Sequence, residues 1–411
     1  MGISITHYNP KLLASRGVLI CTLAIAFLLP ASVLRADVAV ESDFDNGNGT
    51  LLQWDANQKK LWVDVHPIRN CSNIWWHFRI TGLTPGETIT IDCNHDPIAG
   101  EAHPVYSTDG VNWHRFTSRS NPYQENFNAE SVYVARNIPY PYGKSLQLAA
   151  RMRDKQKVDV LTLCQSEGGR DIVLLRFTDP NVPDSGKKLV WIQARQHAFE
   201  SHGSWVAEGC AEWLASDDPA AASLLSNAIV YVVPIVDVDS VFEGGAGKDQ
   251  EPVDFNRCWS DDPSITRWKA VDTAITRLHI EGARANPLVL LVDMHDPYYA
   301  ELSHWHLVPF ANRTLVQEFG TLFVNSLTQV NGPNSWENWY IWHDDYPLDR
   351  PTSSCYAQLY WMGAQPRGMS ICMETAHWKD DSGNYIVSDG LLAYGQAMGL
   401  TASAWVASIT Q

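Results

Sequence analysis

The chain has 411 residues, of which 45% are hydrophobic, and a formal net charge of −16. This length and apolar content exclude a disordered chain and, at roughly 150 residues per domain, predict two domains. Because a phosphate backbone binds to a basic protein face, the acidic balance argues against nucleic acid as a partner.

The amino terminus has the organisation of a secretory signal peptide. Lys11 and Arg16 precede the apolar stretch GVLICTLAIAFLLP, and the small residue Ala36 follows it. We predict a cleavable signal over residues 1–36, a secreted or periplasmic mature chain, and no stable membrane association after cleavage. The alternative is an uncleaved membrane anchor, since the apolar stretch approaches the ~18 residues needed to span a bilayer, but Pro30 argues against it.

Removal of this segment would leave a more acidic chain with an odd number of cysteines. The mature chain would carry 27 basic and 46 acidic side chains, a net charge of −19, and seven cysteines. At least one thiol should therefore be free in a compartment that permits disulfides, and no pairing follows from the sequence.

Residues 37–139 are predicted to form an antiparallel β-sandwich. Short stretches such as LLQW, IWWHFRITGL and SVYVARNIP alternate apolar and polar residues, and turn residues at Thr84–Glu87 and Asp109–Gly110 separate them. Residues 140–411 instead alternate strand and helix candidates, which predicts an α/β domain with a mostly parallel, mixed sheet covered by helices.

Three short polar stretches follow apolar runs in this second domain. His197 and Glu200 come after KLVWIQARQ, His295 ends the run PLVLLVDMH, and Glu374 ends GMSICME. Ligands bind beyond the carboxyl ends of parallel strands, so these side chains are expected at one site. Two imidazoles and one carboxylate form the ligand set of a catalytic zinc, and a second carboxylate beside its water can act as general base.

Each of these residues also has a structural interpretation. A histidine after a strand is more often a hydrogen-bonded structural residue than a metal ligand. Glu200, however, is close enough in sequence to His197 for both side chains to bind the same ion. Asp293 and Asp296 flank His295, and either could accept the proton of its second ring nitrogen. His304 and His306 alternate in HWHL and are interpreted as structural or pocket-lining, and His343 is left unassigned.

The segment GGAGKDQEPVDFNRCW adds a flexible loop with basic residues. The planar guanidinium of Arg257 suits a carboxylate, such as a peptide terminus, and Lys248 could place positive charge where an oxyanion develops. The competing interpretation of Arg257 is a surface or interdomain salt bridge.

Five blocks together resemble zinc metallocarboxypeptidases, in the same order and at compatible separations. They are ARQHAFESHGSWVAEG, VVPIVDVDSV, VDFNRCW, VDMHD and MSICMETAHW. The chain is most similar to the cytosolic-type subfamily, whose members place a β-sandwich before the catalytic domain.

The resemblance implies a zinc-dependent exopeptidase that acts on the carboxyl terminus of a peptide or protein. His197, Glu200 and His295 would hold one zinc ion, Glu374 would deprotonate the zinc-bound water, and the Asn256–Arg257 pair would bind the substrate's terminal carboxylate. Lys248 best matches the arginine that stabilises the oxyanion in this family.

The chain also departs from the family pattern. Ala198 and Phe199 stand within a turn that usually reads His-Pro-Gly-Glu, and Asp296 stands where glycine is more usual. Other functions with the same ligands are a zinc amidase acting on cell-wall peptides or N-acyl amino acids, and a secreted binding protein that retains the metal without catalysis. The sequence contains no H-E-x-x-H, C-x-x-C or G-x-S-x-G motif, which sets aside helical zincins, thiolate zinc clusters and elbow-type serine esterases.

Arg350 and Arg367 precede Glu374 in a segment with one acid, Asp349. A pocket built from this segment would favour an acidic or polar C-terminal residue over a basic one. Structural salt bridges of both arginines are the alternative.

Overall fold

The computed structural model describes eleven stretches of the chain. They are residues 37–94, 104–118, 120–248, 250–251, 254–257, 286–296, 306–309, 313–331, 340–341, 367–375 and 387–410. Residues 1–36, which contain the predicted signal peptide, lie outside the described residues, so secretion stays a prediction. Within the described stretches, no helix has the length and apolarity needed to cross a membrane.

Two β-sheets form the amino-terminal part. The strands are β1 (Ala39–Glu41), β2 (Thr50–Asp55), β3 (Lys60–Asp64), β4 (His77–Thr81), β5 (Glu87–Cys93), β6 (Val105–Ser107), β7 (His114–Arg115), β8 (Tyr123–Phe127) and β9 (Ser131–Ala135). One sheet has the order β1-β4-β9-β6-β7 and the other β2-β3-β5-β8. All pairs are antiparallel except β3 with β5, which is parallel.

Aromatic side chains fill the space between these two sheets. Trp76, Phe78, Phe116, Tyr123 and Phe127 are all buried in one cluster. Phe116 meets Tyr123 and Phe127 edge to face, an arrangement that the ring quadrupoles favour. The alternation in the sequence therefore reflects one buried face per strand, and the predicted sandwich is confirmed.

The described residues of the carboxyl-terminal part contain a mixed sheet of eight strands. Its strands are β10 (Val158–Gln165), β11 (Asp171–Phe177), β12 (Lys188–Ala194), β13 (Ala228–Val233), β14 (Leu288–His295), β15 (His306–Pro309), β16 (Tyr340–Ile341) and β17 (Met369–Glu374). The order is β10-β11-β13-β12-β14-β17-β15-β16. Strands β13, β12, β14 and β17 are mutually parallel, as are β15 and β16, whereas the other pairs are antiparallel.

Six described α-helices accompany this sheet. They are α1 (Tyr142–Met152), α2 (Ser201–Leu214), α3 (Pro219–Asn227), α4 (Val238–Glu243), α5 (Arg313–Asn331) and α6 (Ser388–Thr410). Two short 3₁₀ turns occur at Ile68–Asn70 and Phe255–Arg257. Every residue of β13 and β14 is buried, as expected for strands covered on both faces. The predicted α/β sheet is confirmed.

The two parts pack together in one compact unit over residues 37–411. The Asn46 side chain donates to the backbone oxygen of Val241 at 2.8 Å, and that of Asn48 donates to Gly244 O at 2.9 Å. Buried Trp113 and Ile138 belong to the same apolar cluster as the α/β sheet. A domain boundary at residue 140 stays a prediction.

Five cysteines are described, and all five are free thiols. They are Cys71, Cys93, Cys164, Cys210 and Cys372. The expectation of at least one free thiol in the chain is therefore confirmed.

Helices α2 and α6 approach closely at two glycines. A Cβ atom at Gly209 would lie 2.1 Å from Leu392 O, and one at Gly395 would lie 2.2 Å from Val206 O. Because both obstacles are backbone atoms, a larger residue at either position must push the helices apart.

We expect Gly209→Ala to lower the free energy of unfolding by about 1–3 kcal/mol, the usual cost of overpacking a core. Urea unfolding measures the change. Glu212→Ala on the exposed side of α2 serves as control and should cost well under 1 kcal/mol, since its ion pair with Arg151 is solvent-exposed. Equal losses for the two variants would show that the helix contact is not tight.

Candidate metal centre and active site

The candidate site lies where the order of strands in the sheet reverses. From β12, the next strand along the chain, β13, lies on one side and β14 on the other. His197 follows β12 by three residues, Glu200 directly precedes α2, and His295 is the last residue of β14. Such a reversal opens a crevice beyond the carboxyl ends of the strands, which is where ligands bind in α/β sheets.

A buried arginine shapes the turn that carries His197 and Glu200. Arg195 has a left-handed backbone, with φ of 64°, and its Nε donates to Ala198 O at 2.9 Å. Its Nη1 donates to Tyr140 O at 3.3 Å. Burial lowers the pKa of Arg195 to about 10, while the charges of Asp296 and Glu200 oppose this shift, so the guanidinium remains protonated at neutral pH. The turn is thus fixed by a charge that compensates nearby carboxylates.

The three predicted metal ligands meet at one point. His197, Glu200 and His295 each offer one ligand atom, and these atoms lie within 4.8 Å of one another. Glu200 Oε1 lies 2.8 Å from His197 Nδ1, and Oε2 lies 2.7 Å from His295 Nδ1. All three residues are at most 2% exposed.

The second nitrogen of each ring also faces a carboxylate. His197 Nε2 lies 3.1 Å from Asp254 Oδ1, and His295 Nε2 lies 3.0 Å from Asp293 Oδ2. Of the two candidates beside His295, Asp293 is therefore its partner. The side chain of Asp296 instead accepts from His202 N at 2.9 Å and from the Thr375 hydroxyl.

This arrangement fits a cation on the Nδ1 side of both rings. Without one, each imidazole needs two N–H groups to satisfy two carboxylates, and must be protonated. Burial opposes that protonation, but the charge of Glu200 together with Asp254 or Asp293 raises the pKa of both rings, that of His295 strongly. The rings in turn lower the pKa of Glu200 against the effect of its burial. A divalent ion could replace the two Nδ1 protons and leave Nε2–H bonded to the outer aspartates, the usual support of metal-bound histidines.

Glu374, the predicted general base, is the last residue of β17. It stands opposite His295 in the parallel register of β14 and β17. Its Oε2 atom is fully buried and has no hydrogen-bond partner among the described residues. Burial raises the pKa of Glu374 to about 7, against the opposing charge of His295. An enclosed carboxylate with this pKa has the properties of a proton acceptor near neutral pH.

Lys248 lies on a loop that packs closely against the turn between His197 and Glu200. A Cβ at the preceding residue, Gly247, would lie 2.4 Å from Ala198 N, and the left-handed φ of 73° also favours glycine there. The charge of Lys248 acts to lower the pKa of both His197 and Glu374. Lys248 is thus placed to contribute positive charge to the site.

Asn256 and Arg257 form the 3₁₀ turn that follows Asp254. Asn256 N donates to Asp254 Oδ1 at 2.8 Å, and Asn256 Nδ2 lies 3.5 Å from His295 Nε2. Arg257 Nη1 donates to Asn256 O at 2.9 Å. No acidic side chain within the described ranges forms an ion pair with Arg257, so these ranges do not provide the salt bridge that was the competing interpretation.

The remaining basic residues stand elsewhere. Arg367 Nη2 lies 2.5 Å from Glu318 Oε1, and its guanidinium packs over the ring of Trp405 at 5.0 Å. It therefore joins α5 to α6, and the expectation that Arg367 helps to build an acidic-residue pocket is wrong. Arg350 lies outside the described residues, as do His304 and His343, whereas His306 begins β15 and stands opposite Glu374 in register.

Sequence reasoning missed two supporting residues, Asp254 and Arg195. The signal for Asp254 was its place next to Asn256 and Arg257. Nothing in the local pattern around Arg195 indicated a buried, left-handed arginine.

Comparisons of sequence agree with this geometry. Residues 145–264 match the family model of zinc carboxypeptidase. Human cytosolic carboxypeptidase 2 is 26% identical over 251 residues, which cover 51% of this chain and 28% of that protein. Cytosolic carboxypeptidase 2 of Xenopus tropicalis is 32% identical over 132 residues, which cover 30% of this chain and 14% of that protein. The matched region thus spans less than a third of either relative.

Solved structures extend the likeness to the whole fold. The metallo-carboxypeptidase of Burkholderia cenocepacia has a TM-score of 0.74 at 20% identity, covering 90% of this chain and 100% of that one. A metallo-carboxypeptidase of Pseudomonas aeruginosa in complex with (2-guanidinoethylmercapto)succinic acid has a TM-score of 0.73 at 22% identity, covering 90% and 99%. The predicted resemblance to zinc carboxypeptidases is confirmed.

The outer aspartates should matter for metal affinity. We expect Asp254→Ala to weaken zinc binding about 10- to 100-fold, because His197 loses the acceptor that orients its ring. Asp254→Asn keeps an oxygen acceptor and should lose less, whereas His295→Ala should lose stoichiometric zinc. Chelator competition measures the affinities. Full zinc occupancy in His295→Ala would contradict the ligand assignment.

Proposed function

We propose that this protein is a zinc-dependent exopeptidase that hydrolyses the C-terminal amide bond of peptides. One observation carries the proposal: three buried ligand side chains converge beyond the ends of β12 and β14, and Glu374, whose Oε2 atom has no partner among the described residues, stands in register beside His295. A site that only bound metal would not need this additional carboxylate with a buried oxygen.

His197, Glu200 and His295 would hold the ion. When bound, zinc supplies a Lewis acid that polarises a carbonyl group and lowers the pKa of water. The burial of all three ligands would keep bulk water from competing for the ion.

Glu374 would take the proton of the attacking water and later deliver it to the leaving amine. Its enclosed Oε2 is suited to this role because no described donor occupies it. Lys248 would oppose the negative charge that develops on the substrate oxygen, although an ammonium group lacks the planar fork of the arginine usual in the family.

Arg257 and Asn256 would make the enzyme an exopeptidase. The Arg257 guanidinium has no carboxylate partner among the described residues, and the neighbouring Asn256 lies beside His295. Such a guanidinium can bind the terminal carboxylate of a peptide through two parallel hydrogen bonds. Peptides would then be positioned with their last amide bond near the ligand cluster.

The deciding experiment compares three substrate classes on the purified zinc-loaded protein. Peptides with free C-termini should be hydrolysed with release of the last residue, whereas N-acyl amino acids and cell-wall fragments should be poor substrates. Preference for either of the latter would favour the amidase function. Hydrolysis of none, with zinc bound, would favour a binding protein.

We expect Glu374→Gln to retain zinc and peptide binding and to lose at least about 100-fold in kcat, because an amide cannot accept the proton. Single-turnover rates, zinc content and peptide affinity are the measurements. The control Glu251→Gln changes an exposed glutamate of the neighbouring loop and should keep wild-type turnover. Undiminished kcat in Glu374→Gln would exclude it as the base.

Arg257→Ala should lower kcat/KM about 10- to 100-fold for peptides with a free carboxylate, since a charge-assisted bond is lost. The same peptides with an amidated C-terminus provide the matched comparison and should be affected far less. An equal loss for both substrate forms would remove Arg257 from carboxylate binding.

A further inference from the structure

Asp296 follows the ligand His295 and stands where the family more often has glycine. It is 2% exposed, and its carboxylate does not belong to the cluster formed by His197, Glu200 and His295. A buried carboxylate is costly unless hydrogen bonds or opposite charges stabilise it. The partners of Asp296 therefore indicate what this side chain does.

The two hydrogen bonds of Asp296 join three segments of the site. One carboxylate oxygen accepts from His202 N at 2.9 Å, and the other accepts from the Thr375 hydroxyl. His202 lies two residues after Glu200, and Thr375 directly follows Glu374. The carboxylate thus ties the first turn of α2 and the end of β17 to the end of β14.

A second bond of Thr375 ties the same two strands. Its backbone N–H donates to His295 O at 2.6 Å. The residue after Glu374 is therefore bonded both to a metal ligand and to the residue that follows that ligand. Thr375 is fully buried, so it is closed to a substrate and acts only through the segments that it joins.

The first turn of α2 also packs directly on β14. A Cβ atom at Gly203 would lie 3.0 Å from Met294 O and 3.1 Å from Met294 Cβ. Close-packed elements transmit a displacement instead of absorbing it. The helix and the strand therefore have little room to shift, and Asp296 is held at a fixed point between them.

We propose that Thr375 and Asp296 are positioning residues that fix Glu374 relative to His295, a role that rests on Glu374 being the base of the proposed function. Glu374 stands opposite His295 in register, and the bond between the Thr375 hydroxyl and Asp296 closes the two strands just beyond that pair. A misplacement of about 1 Å can cost about 100-fold in rate, so a fixed end of β17 keeps the base within reach of the proton that it takes.

Thr375→Val and Thr375→Ser test this role on the zinc-loaded protein, with the best substrate of the three classes compared above. Valine keeps the branched shape and the backbone bond but lacks the hydroxyl, so kcat should fall about 10-fold. KM and zinc affinity should stay within about 3-fold, because substrate and metal are held by other residues. Serine retains the hydroxyl and should keep kcat within about 2-fold of the wild type.

A double variant tests whether the two residues act as one unit. Asp296→Ala and Thr375→Val each remove the same hydrogen bond, so the double variant should have the kcat of Asp296→Ala within about 3-fold. Independent effects would instead multiply.

Thr401→Val is the matched control. Thr401 is also fully buried, and its hydroxyl donates to Ala397 O at 2.7 Å and to Ser326 Oγ at 3.0 Å, which joins α6 to α5. This variant should lower resistance to urea and leave kcat unchanged, which separates a loss of stability from a displaced base.

The positioning role is overturned by wild-type kcat in Thr375→Val, by equal losses in Thr375→Val and Thr375→Ser, by a parallel loss of zinc affinity, or by losses that multiply in the double variant. Hydrolysis of N-acyl amino acids in place of peptides would overturn the peptidase function alone, since Glu374 would still be the base whose position is tested. A wild-type protein that hydrolyses none of the three classes would overturn both.

Discussion

In the site, each of two imidazole rings lies between two carboxylates. The rest of the site must compensate the charge of these buried groups. Glu200, Asp254 and Asp293 surround His197 and His295 in a region closed to solvent. Three buried negative charges without compensation would be very costly. Two protons on Nδ1 and one divalent cation carry the same total charge, so exchange of protons for the ion leaves the net charge of the cluster unchanged. The surrounding residues therefore suit both states, which favours a preformed site.

The fold holds this cluster through elements that are buried on all sides. Strands β12 and β14 end side by side, and α2 begins directly after Glu200. The position of α2 is fixed in turn by its contact with α6 at Gly209 and Gly395, where the two backbones approach closely. A ligand at the start of a helix that cannot shift is held more rigidly than one on a free loop. This rigidity matters because metal affinity depends on the positions of all donors at once.

The site residues that follow strands could be predicted from the sequence. The residues whose positions depend on partners far away in the sequence could not. His197, His295 and Glu374 follow or end apolar runs, and the ends of parallel strands meet at one edge of the sheet, so their meeting follows from topology. Asp254 lies in an aperiodic loop whose path depends on tertiary contacts. The choice of Asp293 rather than Asp296 as partner of His295 depends on side-chain direction. Arg367 was misjudged because Glu318 and Trp405, which bind it, lie on two helices far away in the sequence.

The sandwich accounts for the unusual turn between His197 and Glu200. Phe199 is buried with Ile74 and Trp75 of the sandwich, and the guanidinium of Arg136 lies 5.4 Å from the centre of its ring. A glycine in place of Phe199 would leave a hole in this cluster, so the departure from the family pattern matches the surface that the turn meets.

A polar connection also runs from the sandwich to β17, the strand that carries Glu374. Arg115 Nη2 lies 3.3 Å from His202 Nε2, His202 N donates to Asp296, and Asp296 accepts from the hydroxyl of Thr375, next to Glu374. Apolar packing thus supports the turn between His197 and Glu200, and hydrogen bonds support the end of β17. In this chain the sandwich is accordingly part of the support of the site, because removing it would expose Phe199 and leave His202 without the contact to Arg115.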